Sequence, residues 1–176
     1  MRRLGAIHWR VLGAAAAALA TLALSAGALA SAATSAAPPA CATSGLVVWL
    51  NTEGNGAAGS SFYTLNFTNL SGHTCSLRGY PGVSAIDLAG RQIGSPAGRD
   101  SGGGPGRLVT LRNGHAASAT LRIVDALNFP NSRCRLASAA GLRVYPPGQT
   151  ASKAVPFPFD ACARTGTIYL SIRSVQ

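Results

Sequence analysis

His73, Asp87 and Ser101 stand in the chain order of a catalytic triad, and Ser101 lies in Arg99-Asp100-Ser101-Gly102-Gly103, close to the G-D-S-G-G surround of a protease nucleophile. In a triad the imidazole takes the hydroxyl proton and the carboxylate orients the imidazole. The context argues against one here. Arg99 replaces the first Gly of the motif, Thr74 separates His73 from Cys75, and His73 and Ser101 are only 28 positions apart, too few to complete the first of two barrels. A Gly-rich surface loop is the better reading. Paired carboxylates are the other route to hydrolysis. Glu53, Asp87, Asp100, Asp125 and Asp160 are the chain's acids, scattered singly and mostly in predicted turns, where Asp serves the backbone. His73 and His115 lack metal-ligand spacing, so no metal is expected. Gly54-Asn55-Gly56-Ala57-Ala58-Gly59 matches G-x-G-x-x-G, but an alternating strand pattern follows it where a dinucleotide site needs a helix. No cofactor is expected.

Aromatic residues beside turns offer binding chemistry instead. Tyr80-Pro81-Gly82 and Tyr145-Pro146-Pro147-Gly148 echo one another, each with an Arg two residues before the Tyr (Arg78, Arg143). Turn punctuation explains the Pro and Gly. The binding reading makes Tyr80 and Tyr145 a paired rim, each with an apolar body and a polar tip. Residues 146–163 read as a long Pro-rich loop, with Phe157 and Phe159 flanking Pro158. Long loops in compact domains are often functional. Tyr80, Tyr145, Phe157 and Phe159 are therefore the candidate ligand-binding residues.

These side chains must be held by strands. Leu46–Leu50 is a β-type run, Asn51–Gly59 a polar turn, and Ser60–Thr68 alternates, with Tyr63, Leu65 and Phe67 on one face. Those two runs should form a hairpin. Val83–Leu88 and Arg91–Gly94 flank an Ala89-Gly90 turn. A Gly/Pro-rich loop spans Ser95–Gly106. Leu108–Leu111 and Ala117–Ile123 flank Asn113-Gly114, a hairpin signal. Leu142–Tyr145 and Thr167–Val175 complete the set. Beyond the first thirty residues no helical period stands out. Seven to nine short strands separated by turns predict an all-β, antiparallel, immunoglobulin-like β-sandwich.

The opening residues predict a destination. Arg2, Arg3 and Arg10 precede an uncharged Ala/Leu-rich run, Val11–Ala30, ending in the small-x-small Ala28-Leu29-Ala30. That pattern marks a secretory signal, expected as a helix outside the domain and cut after residue 30. A retained anchor is the alternative, and a lipidated Cys41 is disfavoured by Pro38 three positions before it. The expected organisation is a signal over 1–30, a flexible lead over 31–44 and one domain over 45–176. Removing the leader's three Arg leaves twelve Lys/Arg against five acids, a charge of +7. The positive charge is spread out, without the packed basic face of a nucleic-acid binder. It suits weak attraction to anionic wall polymers, or simply a soluble surface.

Cys41, Cys75, Cys134 and Cys162 are even in number and carry no C-x-x-C, so an oxidising compartment would give two disulfides. Three connectivities are open. Cysteines that flank paired strands favour Cys41–Cys75 and Cys134–Cys162.

Thr74-Cys75-Ser76-Leu77-Arg78-Gly79-Tyr80-Pro81-Gly82-Val83-Ser84, Gly141–Thr150 and the four-Cys framework resemble, in order, a family of secreted actinobacterial proteins catalogued as domain of unknown function 4232. The resemblance implies export, a β-sandwich and no established activity, and brings no catalytic residues. Asn66-Phe67-Thr68 and Asn69-Leu70-Ser71 match glycosylation sequons, which a bacterial source would make irrelevant. The functional expectation is a secreted, non-enzymatic binding or structural domain of the cell envelope, whose partner is an anionic wall polymer or another envelope protein. A secreted hydrolase of serine or paired-carboxylate type is the alternative.

Overall fold

The computed structural model describes residues 36–176, so the expected signal over 1–30 lies outside the described residues. Its strands are β1 (Leu46–Ala57), β2 (Ser60–Asn69), β3 (Cys75–Arg78), β4 (Gly82–Ile86), β5 (Gln92–Ile93), β6 (Gly98–Arg99), β7 (Leu108–Leu111), β8 (Ala116–Val124), β9 (Leu136–Tyr145), β10 (Lys153–Cys162) and β11 (Leu170–Ile172). Eleven strands exceed the expected seven to nine: β3, β6 and β10 fall where no strand is expected, and β5 and β6 are only two residues each. A five-stranded sheet runs β1-β2-β8-β11-β6, a four-stranded sheet β10-β9-β4-β5, and β3 pairs with β7. All pairs are antiparallel except β11 with β6. The chain is an all-β sandwich, as its alternating pattern predicts.

Period-two burial joins the two sheets. Leu65 and Phe67 of β2 and Ala117, Ala119, Leu121 and Ile123 of β8 point inward from one sheet. Val83 and Ala85 of β4, Leu142 and Val144 of β9, and Val155 and Ala161 of β10 point inward from the other, and all belong to one core cluster. Removing this apolar area from water is the main drive to fold. Cys41–Cys75 and Cys134–Cys162 are the disulfides, with Cα atoms 4.9 and 4.5 Å apart. The second ties the segment ahead of β9 to the end of β10, as strand-flanking geometry suggests. The first ties the chain ahead of β1 to the start of β3, where Ala40 also bridges Ser76. Cys41 and Thr43, within the segment expected as a flexible lead, are buried.

Four local expectations are corrected. Asn51–Gly59 is not a turn: β1 runs to Ala57, after an irregularity between Asn51 and Asn55, and only Ala58 and Gly59 turn. Both have positive φ, +45° and +74°, which gives the twist a two-residue hairpin requires. The Asn113-Gly114 turn exists, with His115 N–H donating to Arg112 O, but it closes no hairpin. Only Gly114 of its two residues has positive φ, and it leads from β7 in the small sheet to β8 in the five-stranded one. The loop Ser95–Gly106 contains β6 and the short 3-10 turn Ser101–Gly103. Residues 146–163 are not one loop, because most of them form β10. Pro156 and Pro158 obscure the strand, yet Lys153, Val155, Phe157, Phe159 and Ala161 alternate inward between exposed neighbours. Proline is tolerated there because β10 is an edge strand.

Candidate functional site

Tyr63 follows the inward parity of Leu65 and Phe67 but lies nearer the hairpin end of β2, where the core gives out, and it is half-buried. Phe157 and Phe159 hold the corresponding place on β10 and are half-buried too. The rings meet across the two sheets. Tyr63 and Phe157 lie edge to face with centroids 4.9 Å apart, and Phe157 and Phe159 are 5.7 Å apart. A one-residue slip in pairing between Pro156 and Phe159 offsets these side chains from β9. Behind Tyr63 lies Gly54, where a Cβ would come within 2.6 Å of the ring.

These rings line a cleft of about 470 Å³, within the range of small-molecule sites. Its remaining wall is the hairpin segment Gly56–Ser61, with Ile123–Ala126 and Asp160. The hairpin tip is fixed: Gly59 O accepts from Asp125 N–H and from Asn128 Nδ2, each at 2.9 Å. Asp125 in turn accepts the Leu127 amide at 2.9 Å, capping the turn Ala126–Asn128. The Asp125 and Asp160 side chains are exposed. The cleft therefore offers aromatic surface, backbone polar groups and two acidic residues, Asp160 standing at the rim because its parity on β10 is opposite to that of Phe157 and Phe159. A second depression of about 550 Å³, beside Arg107, Leu108 and Val175, has no aromatic ring in its wall.

Of the four aromatic candidates, Phe157 and Phe159 share this cleft and Tyr80 and Tyr145 do not. The Tyr80 and Tyr145 segments do meet, since Gly82 pairs with Tyr145. There Tyr145 packs on Gly82, and Arg99 lies 5.6 Å from the centre of the Tyr80 ring. Sequence reasoning missed Tyr63, Asp125 and Asp160 as partners of the two Phe. The parity of Tyr63 with Leu65 and Phe67 was visible, but its pairing across the sandwich was not.

The residues considered for a serine triad sit on three separate connections, each with local partners. His73 Nδ1 is 3.1 Å from Ser71 O, in the loop after β2. Asp87, between β4 and β5, accepts the Arg91 amide and Nε, both at 2.8 Å. The amide bond leads in holding its carboxyl below the usual carboxylate range, although partial desolvation opposes it. Ser101 follows Asp100, whose carboxylate accepts the Gly102 amide at 2.9 Å and Arg173 Nε at 3.0 Å. Those bonds, the amide first, lower its pKa.

Asn69 disposes of one sequon. It is fully buried, and Nδ2 gives both protons, to His73 O and Leu111 O, while Oδ1 accepts from the Ser71 amide and hydroxyl. A glycan could attach only by dismantling that network. Among the described residues no helix is long and apolar enough to cross a membrane, and no three His, Cys, Asp or Glu cluster as a metal site would require.

Residues 41–176 match the model of a family described as Domain of unknown function (DUF4232). No curated protein matches the chain.

Proposed function

Since the chain belongs to the family described as Domain of unknown function (DUF4232), we propose that it is an exported, non-enzymatic binding domain of an actinobacterial envelope, with its ligand held between Tyr63, Phe157 and Phe159. The observation that carries this reading is the aromatic cleft itself. Three half-buried rings from two sheets meet around open space, beside a hairpin tip clamped by two hydrogen bonds. Aromatic rings give large contact area at small entropic cost, and a rigid frame reduces the cost of binding. The two disulfides suit the oxidising exterior, and the N-terminal leader pattern supports export. The diffuse positive charge would hold such a domain near anionic wall polymers without specificity.

A second reading has one observation in its favour. Asp125 and Asp160 line the same cleft, so a paired-carboxylate hydrolase remains the rival. A general acid of that kind needs a carboxyl kept protonated by burial, and both of these are exposed. Binding is the better account.

Retention of the exported protein on cell-envelope fractions tests it. Phe157→Ala should lower retention at least tenfold. Unchanged retention in a folded Phe157→Ala protein would refute the cleft as the binding site. Loss of glycan-hydrolysing activity on Asp160→Asn would favour the rival.

A further inference from the structure

We propose that the cleft selects an organic cation: an ammonium head carried on an apolar body. The inference rests on the cleft being the binding site and names the chemistry of what enters it. Its basis is an inversion of charge. The chain carries fifteen Lys/Arg against five Asp/Glu, yet the cleft is lined by Asp125 and Asp160 and by no Lys, Arg or His. The two acids that form ion pairs, Asp87 with Arg91 and Asp100 with Arg173, lie elsewhere. Among the described residues neither Asp125 nor Asp160 has a cationic partner. Asp125 uses one oxygen on the Leu127 amide, and the other is uncommitted.

Arg122 approaches the cleft wall from outside. Its Nε and Nη2 donate to Ser60 Oγ at 3.1 and 2.9 Å, and its guanidinium lies 5.9 Å from the Phe62 ring centre. Arg122 is exposed on the outer side of β8, its neighbours Leu121 and Ile123 pointing inward. Its hydrogen bonds to the cleft wall are those to the Ser60 hydroxyl.

Tyr63, Phe157 and Phe159 supply the complementary half of the recognition. Aromatic faces carry negative potential and attract ammonium groups, most strongly where water is reduced. Rings for the head and its methyl groups, with Asp125 and the rim residue Asp160 for the charge, discriminate against an anion and against a neutral body of equal shape. In a chain this basic, a cation would meet repulsion over most of the surface and attraction here.

The probes are choline and its neutral isostere 3,3-dimethylbutan-1-ol, titrated into the purified exported protein at low salt and followed by amide NMR. Choline should bind at least tenfold more tightly than the isostere, with shifts at Ser60, Tyr63 and Phe157. Asp160→Asn, a change at an exposed site that leaves the core intact, should weaken choline at least fivefold and leave the isostere unchanged. Phe157→Ala should weaken both. Co-flotation with phosphatidylcholine vesicles would identify a lipid headgroup as the source; choline binding without flotation would identify a soluble or polymer-borne cation. Equal affinity for choline and isostere would overturn the charge selection while leaving the cleft as a binding site. No cleft shift with either probe, beside undiminished envelope retention through Phe157, would overturn the cation alone. Loss of that retention dependence as well would overturn both readings.

Discussion

Tyr169 is the largest of the fully buried side chains, and its hydroxyl has no hydrogen-bond partner. Burial pushes its pKa up to about 12; the Cys162 backbone, short of full hydrogen-bond geometry, offsets this in part. The folded value lies above the ordinary 10.0, so the fold prefers the neutral phenol. That preference contributes fully below pH 10 and is lost as pH rises toward about 12. Tyr169→Phe should therefore flatten the alkaline limb of a stability–pH profile. Near pH 7 it should also gain about 1 kcal/mol, because an orphaned buried hydroxyl disappears. Urea titrations at neutral and alkaline pH measure both. Asn69 is the opposite case, a buried amide with every hydrogen-bonding group used. Neither state could be read from residue type, because it depends on what packs around the polar atom.

At the scale of elements, the β1–β2 hairpin and strand β10 position the cleft. The Gly59 position suits glycine because its φ is +74°, and a Cβ there would also displace the Asn128 amide that donates to its carbonyl. Gly59→Ala should cost about 1–3 kcal/mol, measured by thermal or urea unfolding, and should reduce envelope retention by displacing the hairpin tip. Ala58, at φ +45°, carries milder strain. Ala58→Asn should be neutral or stabilising, since Asn tolerates that region. The alternation in Ser60–Thr68 made β2 legible from the sequence, with Tyr63, Leu65 and Phe67 correctly on one face. Strand β10 was hidden because Pro156 and Pro158 signal a loop, although they occupy its outward positions on a free edge. Asn113-Gly114 misled in the other direction, since a turn-forming pair does not say whether the strands it joins will pair.

For the whole molecule, the sandwich class was legible because period two is a local property, and the disulfide pairs were legible because the cysteines flank strands. The cleft was legible only in halves. Phe157 and Phe159 stood out as aromatic residues beside proline, whereas Tyr63, Asp125 and Asp160 join them only through the packing of one sheet on the other. Asp125 and Asp160 lie 35 positions apart in the sequence, with nothing local to mark them as neighbours of one site. The Cys134–Cys162 bridge closes a separation of 28 residues around β9 and β10. Replacing both cysteines by serine should cost about 3–4 kcal/mol in urea unfolding. The loss should loosen β10, and the cleft with it, more than the β3–β7 pair.

On the proposed reading the molecule works through the aromatic cleft between its sheets. Amide NMR of the protein mixed with solubilised cell-envelope material tests this most directly. Shifts should gather at Gly56–Ser61, Tyr63, Asp125 and Phe157–Asp160. Shifts confined to the exposed face around Val47 and Trp49, or to the Tyr80–Arg99 end, would contradict it.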